Sequence, residues 1–212
     1  MFPIGDRNPR RTIPWVTYLL IIINVAVFYL ELTRGDDFII KWSFIASRFM
    51  DNPLSDLLTL FTSMFMHAGW LHIAGNMLYL WIFGDNIEDK FGHFRFLVFY
   101  ITCGLVGIIA QTAFNLNSEI PLLGASGAIA GVLGAYIFMF PLVPVRVLLG
   151  CFIAPLPAIV VIGVWIVLQF FYGVGSLGGV TEGGVAYMAH IGGFITGLIF
   201  TIFIRMRGGK RV

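Results

Sequence analysis

Three short segments of this 212-residue chain set reactive side chains among glycines. The first reads Leu123-Gly124-Ala125-Ser126-Gly127-Ala128-Ile129-Ala130-Gly131 and opens an apolar run. A serine on the first turn of a helix sits among unpaired backbone N–H groups and at the positive end of the helix dipole, where an anion is stabilised. The second reads Ala189-His190-Ile191-Gly192-Gly193, with Gly197 one turn further on. A hydroxyl becomes a nucleophile at neutral pH only beside a base, and imidazole is the usual one. The third runs from His67 to Asn76 and contains His72. His72 and Asn76 are four apart, hence on one helix face, and both can donate hydrogen bonds to a developing oxyanion. Each segment also has a plain structural reading. Gly127 and Gly131 suit tight helix packing, and buried His, Ser and Asn are ordinary interhelical hydrogen-bonding groups. A nucleophile, a base and two donors together point to acyl-transfer chemistry.

Those residues need elements to hold them, and composition says where the elements live. The chain is 58% hydrophobic and 11% charged, against about 45–50% and about 25% in soluble domains. A soluble fold of this size could not hide so much apolar surface. Twenty-one Phe and five Trp exclude a disordered chain, and a formal charge of +2 is too small and scattered for nucleic acid. Cys103 and Cys151 both fall in apolar stretches and form no disulfide framework. The chain reads as one integral membrane domain over residues 1–212.

Charge-free runs occupy residues 12–30, 57–84, 96–118, 120–145, 147–181 and 183–204, and about 20 apolar residues span the hydrocarbon layer as a helix. Proline and glycine flanks trim the fifth run to a helix over 158–172. The pattern therefore predicts six membrane helices, with no cleavable leader at the start. Ser126, His190, His72 and Asn76 then share one depth, below one face of the membrane. Ten of the 13 basic residues fall on the opposite side, in both tails and around Lys90, Arg95 and Arg146. Both termini, tails 1–11 and 205–212, are expected to be cytoplasmic. The loop over residues 33–65 is apolar, aromatic and charged by turns, which suggests an element lying in the headgroup region.

The three segments occur in an order that resembles the rhomboid family of intramembrane serine proteases. Gly-Ala-Ser-Gly opens one helix, Ala-His-x-x-Gly-x-x-x-Gly the last, and His-x-x-x-Asn lies in the second. Gly84-x-x-x-Glu88-x-x-x-Gly92 fits as well. The resemblance covers residues 14–204 and implies a six-helix bundle with Ser126 as nucleophile and His190 as general base. It implies an oxyanion hole of the Ser126 N–H, His72 and Asn76, a loop shaped by Gly124, and a supporting role for His67. Glu88 would tie helices two and three together. No cofactor or metal is implied, and substrates would be single-pass membrane proteins cut within the bilayer. The short tails favour the plasma membrane of a prokaryote.

Two positions depart from the family pattern. Many members carry Trp-Arg where this chain has Leu58-Thr59, and some stack the base on an aromatic where it has Ala130. Other classes stay open on the residues alone. A non-cleaving rhomboid-like helix binder usually lacks the Ser or the His, and both are present. His67, His72 and His190 could converge on a metal, but no His-Glu-x-x-His or neighbouring carboxylate supports a zinc enzyme. No Asp, Glu, Lys or Arg lies in mid-span to serve an ion-coupled transporter.

Overall fold

The computed structural model describes residues 2–176 and 185–207. Glu182 and the basic residues Lys210 and Arg211 lie outside the described residues. Six helical segments make a bundle: α1 (Trp15–Arg34), α2 (Trp70–Phe91), α3 (His93–Phe114), α4 (Ser126–Met139), α5 (Ala158–Ser176) and α6 (Tyr187–Arg207). Among the described residues, α1, α3, α5 and α6 are long and apolar enough to cross a membrane. The α2 helix forms a further candidate span together with the bent segment Pro53–Phe65, which meets it at 76°. Leu80–Gly84 within α2 is π-helical.

The α4 helix is different in kind. Its 14 residues are apolar on every side, and all ten from Gly127 to Tyr136 are buried, as expected of a helix surrounded by others. Fourteen residues rise only about 21 Å, less than the roughly 30 Å of a hydrocarbon core. Its first residue, Ser126, is thereby set inside the bundle. Glycines bring α6 against it, backbone to backbone. A Cβ added at Gly193 would collide with the carbonyl oxygen of Gly127, and one at Gly197 with that of Gly131. Gly134 meets Phe194 O in the same way, and Gly107 of α3 lies against Ala189 O.

Glu88 ties the end of α2 far from Ser126. Pro14, before α1, offers no capping side chain, so the first N–H groups of α1 need an acceptor from elsewhere. Glu88, fully buried, takes Val16 N–H at 2.9 Å and Thr17 N–H and the Thr17 hydroxyl at 2.7 Å each. Its carboxylate also pairs with His93 Nδ1 at the start of α3. The sequence led us to expect a tie between the second and third helices; the clasp includes the first helix as well.

A small sheet, missed in the sequence, closes the same end. Phe2–Asp6 (β1), Pro144–Leu149 (β2) and Phe152–Pro157 (β3) pair antiparallel in that order. Residues read as a tail and as apolar loop are thus extended. Val145 and Val147 point inward, fully buried, while Pro144, Arg146 and Leu148 point out, which is the period-2 pattern of a strand. Gly150 turns the hairpin at φ 60°. Pro155 and Pro157 fall on β3, an edge strand, where missing N–H donors are tolerated. Tyr136 donates its hydroxyl to Asp6, linking β1 to α4.

The loop over residues 33–65 is largely helical, with short helices at Asp36–Trp42, Ala46–Asp51, Pro53–Asp56 and Thr59–Thr62. It does not only skirt the bundle, because Phe44 and Met64 are 1% exposed. Arg48 braces it, paired with Asp56 at 2.8 Å and donating to Ile40 O and Ser43 O. Leu58 is exposed, and Thr59 donates to Asp56 O.

Two outcomes follow. Glu88→Ala strands several donors and should lower stability by about 2–4 kcal/mol, with Glu88→Gln in between, read as thermal unfolding in detergent. Burial pushes the Asp6 carboxyl up to about 6, above its ordinary 3.8. The folded chain then holds more protons than the unfolded one between those values, so attachment of β1 is strongest below pH 4 and weakens as pH rises through 6. Amide protection of β1, corrected for intrinsic exchange, should follow that course and lose it in Asp6→Asn.

Candidate active site

The Ser126 Oγ lies 2.8 Å from His190 Nε2. Sixty-four residues separate them, and the glycine contacts between α4 and α6 bring them together. The start of α6 is held by Gln111 of α3, whose Oε1 accepts Met188 N–H at 3.0 Å and Ala189 N–H at 3.3 Å. This caps two of the orphan donors at that helix end and fixes the first turn, which carries His190.

The other face of the imidazole is occupied too. His190 Nδ1 lies 2.7 Å from Gln169 Oε1, and the Trp165 ring sits 5.7 Å from the imidazole, centroid to centroid, at 37°. Both come from α5. The motifs read from the sequence included neither Gln169 nor Trp165. Ile162, Trp165 and Gln169 follow a helical stripe of three and four residues, which is the signal that marks them. Ala130, fully buried in α4, leaves the imidazole to be held from α5 instead.

His72 and Asn76 rise from α2 into the same space. With Leu71, Tyr79, Ser126, Leu133, Trp165 and His190 they line a cavity of about 230 Å³ among α2, α4, α5 and α6. Ala68 N–H donates to His72 Nδ1 at 3.3 Å, so the His72 proton is on Nε2 and that nitrogen is a donor. The Asn76 amide nitrogen is buried with no partner among the described residues. A buried N–H without an acceptor is costly, and Asn76 lines the cavity that also holds Ser126.

The approach to Ser126 is shaped by Gly124. Its φ is 131°, and an added Cβ would lie 2.9 Å from His72 Cε1 and Nε2. Gly124 N–H donates to Ser63 O at 2.9 Å, and Leu122 pairs with Phe44 through two backbone bonds, so the loop before the serine is pinned by the segment preceding α2. His67 stands behind His72, ring centroids 5.1 Å apart, and its N–H donates to Glu31 at 3.0 and 3.2 Å. Glu31 lies just past the first charge-free run, which ends at residue 30. The α1 helix runs on to Arg34 and buries Glu31 on the stripe of Thr17, Leu20, Asn24 and Phe28.

All six residues singled out in the sequence therefore gather at one end of the bundle. Ser126, His190, His72 and Asn76 share the cavity, Gly124 borders Ser126 and His72, and His67 packs behind. The arrangement can activate a hydroxyl and meet a negative oxygen with N–H groups.

Comparison with known proteins agrees with this architecture. A family model described as the rhomboid domain matches residues 54–207; the chain belongs to the rhomboid family. It is 29% identical to Rhomboid protein 1, mitochondrial, of Saccharomyces cerevisiae over 89% of this chain and 53% of that one. It is 35% identical to Rhomboid protease GluP of Bacillus subtilis over 59% of this chain and 25% of that one. It is 29% identical to RHOMBOID-like protein 4 of Arabidopsis thaliana over 97% of this chain and 57% of that one. The chain spans about half the length of the yeast and plant relatives and a quarter of the Bacillus one.

Gly124→Ala should displace His72 and strain the loop. Phosphonylation of Ser126 by a fluorophosphonate is expected to slow at least about ten-fold, up to the order of one lost oxyanion donor. Gly163→Ala on α5, where a Cβ meets nothing within 4 Å, should label at the parent rate.

Proposed function

We propose that the chain is an intramembrane serine endopeptidase that cuts membrane segments of single-pass proteins. The observation that carries this reading is the 2.8 Å contact between Ser126 Oγ and His190 Nε2 at a cavity bordered by Asn76, whose amide nitrogen has no partner among the described residues. A substrate segment enters in extended form from the gap between α2 and α5. His190 Nε2 accepts the Ser126 proton as Oγ attacks the carbonyl carbon, and the oxyanion receives N–H groups from Ser126, His72 and Asn76. The imidazolium passes its proton to the departing amine, the C–N bond breaks, and an ester to Ser126 remains. Water, deprotonated by His190, then attacks the ester and frees the new carboxyl end.

In this reading residues 1–212 form a single membrane domain with both termini on the cytoplasmic side of a prokaryotic plasma membrane. The distribution of Lys and Arg supports that orientation. So does the packing at the end remote from Ser126, where β1 and Arg10 meet α2 and α4 and Arg205 of α6 lies over Phe138.

Ser126→Ala and His190→Ala should each abolish cleavage of a membrane-embedded reporter in proteoliposomes and each lose fluorophosphonate labelling, with thermal unfolding unchanged within a few degrees. Cleavage retained by both variants would overturn the assignment.

A further inference from the structure

We propose that Gln169 is a positioning residue for His190, holding the imidazole in the one tautomer that can act as a base; this rests on the dyad reading above. A neutral imidazole has one N–H and one bare nitrogen. For Nε2 to take the Ser126 proton, the ring proton must be on Nδ1, and Nδ1 then needs an acceptor. Gln169 Oε1 stands 2.7 Å away. An amide turned the other way would present its NH2 to Nδ1, move the ring proton to Nε2 and leave His190 donating to the serine. The chain thus has a third member behind the dyad, and it is an uncharged amide where soluble serine proteases carry a carboxylate.

Trp165 supports the same assignment from one turn earlier on α5. Residues four apart share a face, so α5 turns one stripe to His190, the indole against the ring and the amide against Nδ1. An indole face also attracts the imidazolium that forms during attack. The α5 helix otherwise exposes apolar side chains, among them Val160, Val164, Val167, Leu168 and Phe171. The polar contact of this helix with the site is Gln169, so the seating of α5 and the readiness of the base are coupled. Among the described residues, the titratable groups that share the cavity with His190 are His72 and Tyr79 of α2, and Gln169 adds no charge to them.

The test is steady-state cleavage of the reporter across pH 5–9 by the full chain in proteoliposomes, for the parent, Gln169→Leu, Gln169→Glu and Ser126→Ala. Gln169→Leu should lower kcat on the order of ten- to a hundred-fold, as loss of a partner behind a reactive imidazole does, and leave KM near the parent value. Gln169→Glu offers an acceptor of the same reach, so it should restore most of kcat. Its carboxylate should also move the acid limb of kcat/KM up by about one pH unit or more. The proposal is overturned if Gln169→Leu keeps the parent kcat. It is equally overturned, even where the Leu variant fails to fold, if Gln169→Glu keeps the parent acid limb. An inactive parent, or an active Ser126→Ala, would instead sink the dyad reading on which this one rests.

Discussion

Everything at the Ser126 end depends on how closely two backbones approach. The α4 and α6 helices meet through Gly127 and Gly193, Gly131 and Gly197, and Gly134 and Phe194, with no side chain between them. In a bilayer there is no hydrophobic gain in bringing helices together, so close van der Waals contact between small residues must supply it. A Cβ at Gly193, Gly197 or Gly134 would separate the helices, and the 2.8 Å contact between Ser126 and His190 would be lost with it. The glycines are thus both the packing and the alignment of the site.

Helix starts at both ends of the molecule pose a different problem. Helix ends carry unpaired N–H groups, and an apolar sequence has few side chains to satisfy them. Buried polar groups borrowed from neighbouring helices do so here. Glu88 of α2 serves the start of α1, and Gln111 of α3 serves the start of α6. Each borrowed cap also fixes the relative height of two helices. Height matters because Ser126, His190, His72 and Asn76 come from three helices and must meet at one level.

Much of this was legible in the residues. Long charge-free runs gave the helices, and glycine spacing gave the seam between α4 and α6. The place of Ser126 at the head of α4 followed from a run that starts just inside a loop. What stayed hidden has physical reasons. Val145, Val147 and their neighbours are apolar enough to pass for a membrane segment, and the partner strand, Phe2–Asp6, lies some 140 residues away, as the register of Phe2 with Leu148 shows. Glu31 looked like the end of a span because it is charged, although its spacing from Asn24 and Phe28 continued the buried stripe. Gln169 belongs to a helix whose surface is mostly apolar, and only the rotation of α5 about its axis decides whether the amide meets lipid or His190.

The absence, among the described residues, of a carboxylate behind His190 has an energetic meaning in a membrane protein. Moving a lone ion from water into a medium of low dielectric carries a Born energy of many kcal/mol. Ser126, His190 as a base, Gln169, Trp165, His72 and Asn76 are all uncharged before reaction, so the assembled resting site incurs no such term. In the proposed attack, charge appears as an imidazolium and an oxyanion created together from neutral groups. They arise a few ångströms apart with no net charge, where a low dielectric strengthens their mutual attraction. A site built from dipoles separates charge only for the lifetime of the tetrahedral adduct.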